Sequence, residues 1–142
     1  MPTINMQTAI YLAGLAQIAL VAGSLVIPQI LNWKTELAKV SILIKQMFWT
    51  YAAYILVINL CFGLLSVFAV HELTNGSLLA TLVCGFIAVY WISRVLIQFL
   101  YFDRKSFPVG ALNKLGEVVL VTLFVFLSVI YGLAFYHNYQ QI

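Results

Sequence analysis

Two charged residues lie within stretches that are otherwise apolar, and they are the first candidates for a functional site. Arg94 belongs to the apolar segment 77–102, and Glu117 belongs to the apolar segment 111–136. A charge in such a segment is costly in hydrocarbon and marks a candidate ion or ligand site. Helical side chains lean toward the helix N-terminus, which directs Arg94 away from the nearer membrane surface and favours a partner inside the bundle. Glu117 is the only carboxylate inside a predicted span, so we predict an Arg94–Glu117 ion pair between neighbouring helices.

Three further residues share the helical face of Arg94. Trp91, Gln98 and Tyr101 stand three, four and seven residues from it, which are the spacings of one face. With Glu117 they are expected to form a polar pocket that opens to the cytoplasm. Two interpretations stay open, because the ion pair could fix the register of two helices or could bind a ligand or ion.

Polar side chains in the other apolar segments predict contacts between helices. Gln17, Asn59 and Ser66 lie well inside such segments, where a polar group is expected to hydrogen-bond across helices. The sequence contains no motif for nucleophilic catalysis, phosphate binding or dinucleotide binding. We therefore predict no catalytic residue, no metal ligand and no cofactor, and we expect that the chain is not an enzyme.

The composition of the chain defines the class of protein that must position these residues. Of 142 residues, 64% are hydrophobic and 8% are charged, whereas soluble domains carry about a quarter charged residues. Such a chain cannot form a polar surface, and its richness in aromatic residues excludes disorder. The net charge of +3 forms no basic stripe, so nucleic acid is not an expected partner. We expect an integral membrane protein.

Four segments are long and apolar enough to cross a bilayer as helices. They cover residues 7–31, 43–70, 77–102 and 111–136, so residues 1–142 form a single transmembrane domain. The predicted fold class is an all-α integral membrane protein, an up-down bundle of four transmembrane helices. Pro28 is expected to kink or end the first span.

The distribution of basic residues predicts the orientation of the chain. Six of the seven basic residues lie in the loops after the first and third spans or at the start of the spans that follow them: Lys34, Lys39, Lys45, Arg104, Lys105 and Lys114. The positive-inside rule places both loops in the cytoplasm and both termini outside, in a plasma (inner) membrane. Tyr131 and later aromatic residues of the fourth span are interpreted as an outer interfacial belt.

The segment 32–46 has two open interpretations. Its apolar residues fall at helical spacing, which predicts an amphipathic surface helix with Asn32 as its cap. Alternatively, the segment extends the second span toward the cytoplasm. In either case its lysines favour anionic headgroups, so membrane lipids are expected partners.

The two halves of the chain show weak similarity to each other. Gln29 and Gln98 end corresponding spans, while Lys45 and Lys114 begin the spans that return. This pattern is typical of two parallel-repeat hairpins, and unrelated hairpins remain the alternative.

Two classes of function remain after these exclusions. The first is a non-catalytic subunit or scaffold in a membrane assembly, either a homo-oligomer or a larger complex. The second is a homo-oligomeric transporter or channel for a small solute, ion or lipid, with the Arg94–Glu117 pocket as its site.

Overall fold

The chain folds into helices joined by short turns over the described residues. A computed structural model describes residues 5–102 and 110–142. Arg104 and Lys105, on which part of the predicted orientation rests, lie outside these ranges. The helices are α1 (Met6–Ser24), α2 (Ile27–Ile30), α3 (Trp33–Leu37), α4 (Ile42–Phe68), α5 (Val70–Leu73), α6 (Leu78–Leu100) and α7 (Ala111–Tyr139).

Four of the described helical segments are long and apolar enough to cross a membrane. They are Met6–Ile30, Ile42–Phe68, Leu78–Leu100 and Ala111–Tyr139, close to the four predicted spans. The chain is thus an all-helical membrane protein in its described part. Serine or asparagine caps start three of these helices, because the side chains of Asn5, Ser41 and Ser77 accept bonds from backbone N–H groups one turn later.

The segment 32–46 differs from both predictions made for it. A short helix, α3, ends at Leu37, and α4 begins separately at Ile42. Ser41 separates them because its extended backbone starts α4 and its hydroxyl accepts from the N–H of Ile44. Asn32 adopts a left-handed conformation (φ 53°) and makes no side-chain cap, so its predicted capping role is wrong. Asparagine is one of the few residues that tolerate this conformation.

Two glycines allow α1 and α4 to approach closely. A Cβ atom added to Gly14 would lie 2.8 Å from Ser66 Cβ and 2.9 Å from the Gly63 carbonyl oxygen. A Cβ added to Gly63 would lie 3.1 Å from the Gly14 oxygen. Small residues permit such backbone contact in membranes, where dispersion and polar contacts hold helices together. α6 packs along α7 in the same bundle, and α1 also contacts α7.

The centre of the bundle is filled by large side chains. Trp91, Tyr131, Ile10, Ile87 and Leu127 are all less than 2% exposed. The interpretation of Tyr131 as an interfacial residue is therefore wrong: this residue is fully buried between helices. Pro28 lies in the first turn of α2, after α1 has ended at Ser24, as proline at a helix start allows.

Candidate functional site

Arg94 lies on α6, half-buried, between two aromatic rings. Its guanidinium carbon is 4.8 Å from the ring centroid of Phe124 and 5.1 Å from that of Phe102. Its Nη1 donates to Oε1 of Gln98, one turn along the same helix, at 3.3 Å. Cation–π contacts of this kind are worth about 0.5–2 kcal/mol, most where water is excluded.

Glu117 has a different partner from the predicted one. Its Oε2 lies 3.8 Å from Nζ of Lys114, and no Arg94–Glu117 ion pair forms among the described residues. The reason is the direction of the Arg94 side chain. The guanidinium lies over Phe124, seven residues beyond Glu117 on α7 and about 10 Å away along that helix.

The remaining residues of the predicted pocket do not line one cavity with Arg94. Trp91 is 1% exposed and stacks on Phe124, with centroids 5.5 Å apart and planes at 19°. Tyr101 follows the end of α6 and is 82% exposed. The structure therefore brings Arg94 together with Gln98 and, through Phe124, next to Trp91. Whether this group binds a ligand stays a prediction.

A buried hydrogen-bond network joins all four spanning segments. The Trp91 indole N–H donates to Gln17 Oε1 at 3.1 Å, and Gln17 Nε2 donates to the Tyr131 hydroxyl at 2.5 Å. The Tyr131 hydroxyl also bonds the hydroxyl of Ser66. These four side chains come from α1, α4, α6 and α7, one from each helix, and none is more than 1% exposed.

Each polar side-chain atom of this network has a hydrogen-bond partner. Gln17 gives its second N–H to the Ala13 carbonyl oxygen, 3.5 Å away, while its own oxygen accepts from Trp91. In the described part of the chain, every buried side-chain nitrogen and oxygen has a partner. A satisfied network in a low-dielectric interior fixes one packing arrangement, because any rotation of a helix would leave a polar group unpaired.

Asn59 makes a second polar contact between helices. Its Oδ1 accepts from the Tyr90 hydroxyl at 2.6 Å, which joins α4 to α6. The ring of Phe62 lies one turn away and packs edge-on against Tyr90, with centroids 5.3 Å apart. The three polar residues expected to act between helices, Gln17, Asn59 and Ser66, thus all contact a tyrosine on another helix.

Asn138 is a buried polar residue that the sequence did not reveal. Its Nδ2 donates to the Leu73 carbonyl oxygen at 2.8 Å, and its Oδ1 accepts from the Gly76 N–H at 2.9 Å. Leu73 is the last residue of α5, and Gly76 lies in the turn between α5 and α6 with a left-handed backbone (φ 77°). Asn138 lies beyond the predicted end of the fourth span, so nothing in the sequence marked it as buried.

No family model, curated protein or solved structure matches this chain. The proposals for its function therefore rest on the contacts between its own helices.

Replacing Asn138 by leucine is expected to release the turn at 74–77. The substitution removes the acceptor of the Gly76 N–H and the amide donor to the Leu73 oxygen, which keeps the Cys84 thiol as a weaker donor at 3.4 Å. An unpaired buried group costs about 1–3 kcal/mol. We expect faster proteolysis of this turn and a lower unfolding midpoint in detergent. Gln140→Leu is the control, since Gln140 is exposed two residues away and bonds only Tyr136 among the described residues. Equal proteolysis of both variants would contradict the role of Asn138.

Proposed function

We propose that this protein is a non-catalytic subunit or scaffold of a membrane assembly. The observation that carries the proposal is the network of Gln17, Ser66, Trp91 and Tyr131. Its polar side chains bond one another across four helices, and none of them is more than 1% exposed. A route through the protomer centre would have to disrupt these bonds.

The contacts between helices also support the proposed up-down arrangement. Along α6 and α7, Gly85 meets Phe135 and Trp91 meets Phe124, so residue numbers rise on one helix as they fall on the other. Gly14 with Ser66 and Ile18 with Gly63 show the same pattern for α1 and α4. We propose an up-down bundle with both termini outside the cytoplasm, built from two hairpins.

Arg94 favours a second candidate, a homo-oligomeric transporter or channel. Its charge lies in a spanning helix, and its contacts in the described part of the chain are Gln98 and two rings rather than a carboxylate. A guanidinium in this setting keeps a net positive charge that can attract an anion. Since one protomer offers one such residue in a filled bundle, this function would require several protomers around a shared path.

The mass of the assembly and its permeability to anions separate the two candidates. After subtraction of the nanodisc lipid and scaffold protein, we expect protein extracted directly from its membrane to have a mass that is not a whole-number multiple of its own, which indicates a second polypeptide in fixed ratio. In proteoliposomes, we expect chloride flux equal to that of empty liposomes.

The contrary result would be a pure homo-oligomer with chloride flux above that background. Flux lost in Arg94→Gln but retained in Lys39→Gln would then assign transport to Arg94. Lys39 is the matched control because its side chain is exposed and paired with Glu36 at 3.3 Å. Arg94→Gln that dissociates the assembly without any flux would favour a structural role for this residue.

A further inference from the structure

A groove of about 660 Å³ lies at one end of the bundle, between α2–α3 and the start of α4. Its walls carry six side chains with polar atoms: Gln29, Asn32, Lys34, Thr35, Lys45 and Trp49. Two are cations, and the others offer amide, hydroxyl or indole hydrogen-bond donors. This set of donors is suited to a phosphate-bearing group.

Aromatic packing builds the groove. Trp33, the first residue of α3, lies edge-on to Phe48 and Trp49 of α4, with ring centroids 4.8 and 5.5 Å away. The left-handed Asn32 turns the chain from α2 into α3, so that α3 folds back against α4. Lys45 and Trp49 stand four residues apart on one face of α4 and form the opposite wall.

The positive charge of the groove is not neutralised within the described chain. Neither Lys34 nor Lys45 forms an ion pair with a described carboxylate. Glu36, the acidic residue of α3, is bound to Lys39 outside the groove. Lys45 is also half-buried in the first turn of a spanning helix, from which a lysine can extend its ammonium toward lipid headgroups.

The surface next to the groove is suited to acyl chains. Exposed apolar residues flank the groove residues in the sequence: Leu25 and Val26 precede Pro28 and Gln29, and Ala53 lies one helical turn after Trp49. A soluble anion would make no contact with these apolar residues, whereas the acyl chains of a phospholipid would pack against them. We infer that the groove of Lys34 and Lys45 binds the headgroup of an anionic phospholipid, independently of the proposed subunit role.

Lipid titration monitored by native mass spectrometry tests this site. The probes are phosphatidylglycerol and phosphatidylcholine with identical acyl chains, added to the full chain in detergent. We expect wild-type protein to bind phosphatidylglycerol about tenfold more tightly, because each lysine near a headgroup contributes measurably to anionic-lipid binding. Lys34→Gln/Lys45→Gln should lose this preference, and Lys34→Arg/Lys45→Arg should keep it.

A second double variant controls for general electrostatics. Lys39→Gln/Lys114→Gln removes the same charge from lysines that lie outside the groove and pair with Glu36 and Glu117. We expect it to bind phosphatidylglycerol as wild type does. An equal loss in both double variants, or equal affinity for phosphatidylcholine in wild type, would overturn the assignment. Displacement of the lipid by inorganic phosphate at equal concentration would assign the groove to a free anion instead.

Discussion

Replacing Gly14 by leucine is expected to force α1 away from α4 and to lower the free energy of unfolding by about 3 kcal/mol. The added side chain would begin 2.9 Å from the carbonyl oxygen of Gly63, and a backbone atom cannot move aside as a flexible side chain can. Separation of these helices would also stretch the bond between Ser66 and Tyr131. The measurement is the midpoint of unfolding when dodecyl sulfate is titrated into mixed micelles, followed by circular dichroism.

Gly23→Leu on the same helix is the matched control. A Cβ added to Gly23 meets nothing within 4 Å, and the residue is exposed. Both variants gain about the same intrinsic helix propensity, up to about 1 kcal/mol. The difference between their free energies of unfolding therefore reports the close contact of α1 with α4 at Gly14. We expect Gly23→Leu to be neutral or slightly stabilising. Equal destabilisation by the two variants would mean that α1 and α4 do not meet at Gly14.

The spans could be predicted from the sequence because hydrocarbon imposes a minimum length of apolar helix. Their ends could be predicted less well, since local capping decides them. Ser41 begins α4 with a hydrogen bond to Ile44, and this breaks a segment whose apolar spacing alone suggested a continuous helix. Likewise, α7 continues to Tyr139, past the predicted end of the span, where Asn138 is buried against Leu73 and Gly76.

Partners within the bundle could be predicted only in part. Gln17, Asn59 and Ser66 stood out because an amide or hydroxyl in an apolar segment must find a hydrogen bond. Their partners Tyr90 and Tyr131 could not be predicted in the same way. A tyrosine, with its apolar ring and its hydroxyl, is suited equally to a headgroup interface and to a buried hydrogen bond. Which of these applies depends on the rotation of each helix. The sequence does not determine the rotation of α6, and the predicted Arg94–Glu117 pair failed for this reason. In the structure the Arg94 guanidinium lies over the ring of Phe124.

Gln17→Leu is expected to lower the free energy of unfolding by about 2–3 kcal/mol. The two side chains are similar in size, so the loss comes from hydrogen bonds rather than from a cavity. The Trp91 N–H would lose its acceptor and the Tyr131 hydroxyl would lose one donor, both in a dry interior. Bonds between helices in a membrane average about 0.6 kcal/mol, and buried groups left unpaired cost about 1–3 kcal/mol. Dodecyl sulfate titration measures the change.

Gln29→Leu is the matched control for this substitution, because Gln29 is exposed and lies outside the network. We expect its unfolding midpoint to equal that of wild type. A double-mutant cycle with Tyr131→Phe then tests the bond itself: once the hydroxyl is absent, Gln17→Leu should cost about 1 kcal/mol less than in wild type. Strict additivity of the two substitutions would contradict the network. Coupling would show that the hydrogen bonds of Gln17 and Tyr131 stabilise the bundle centre.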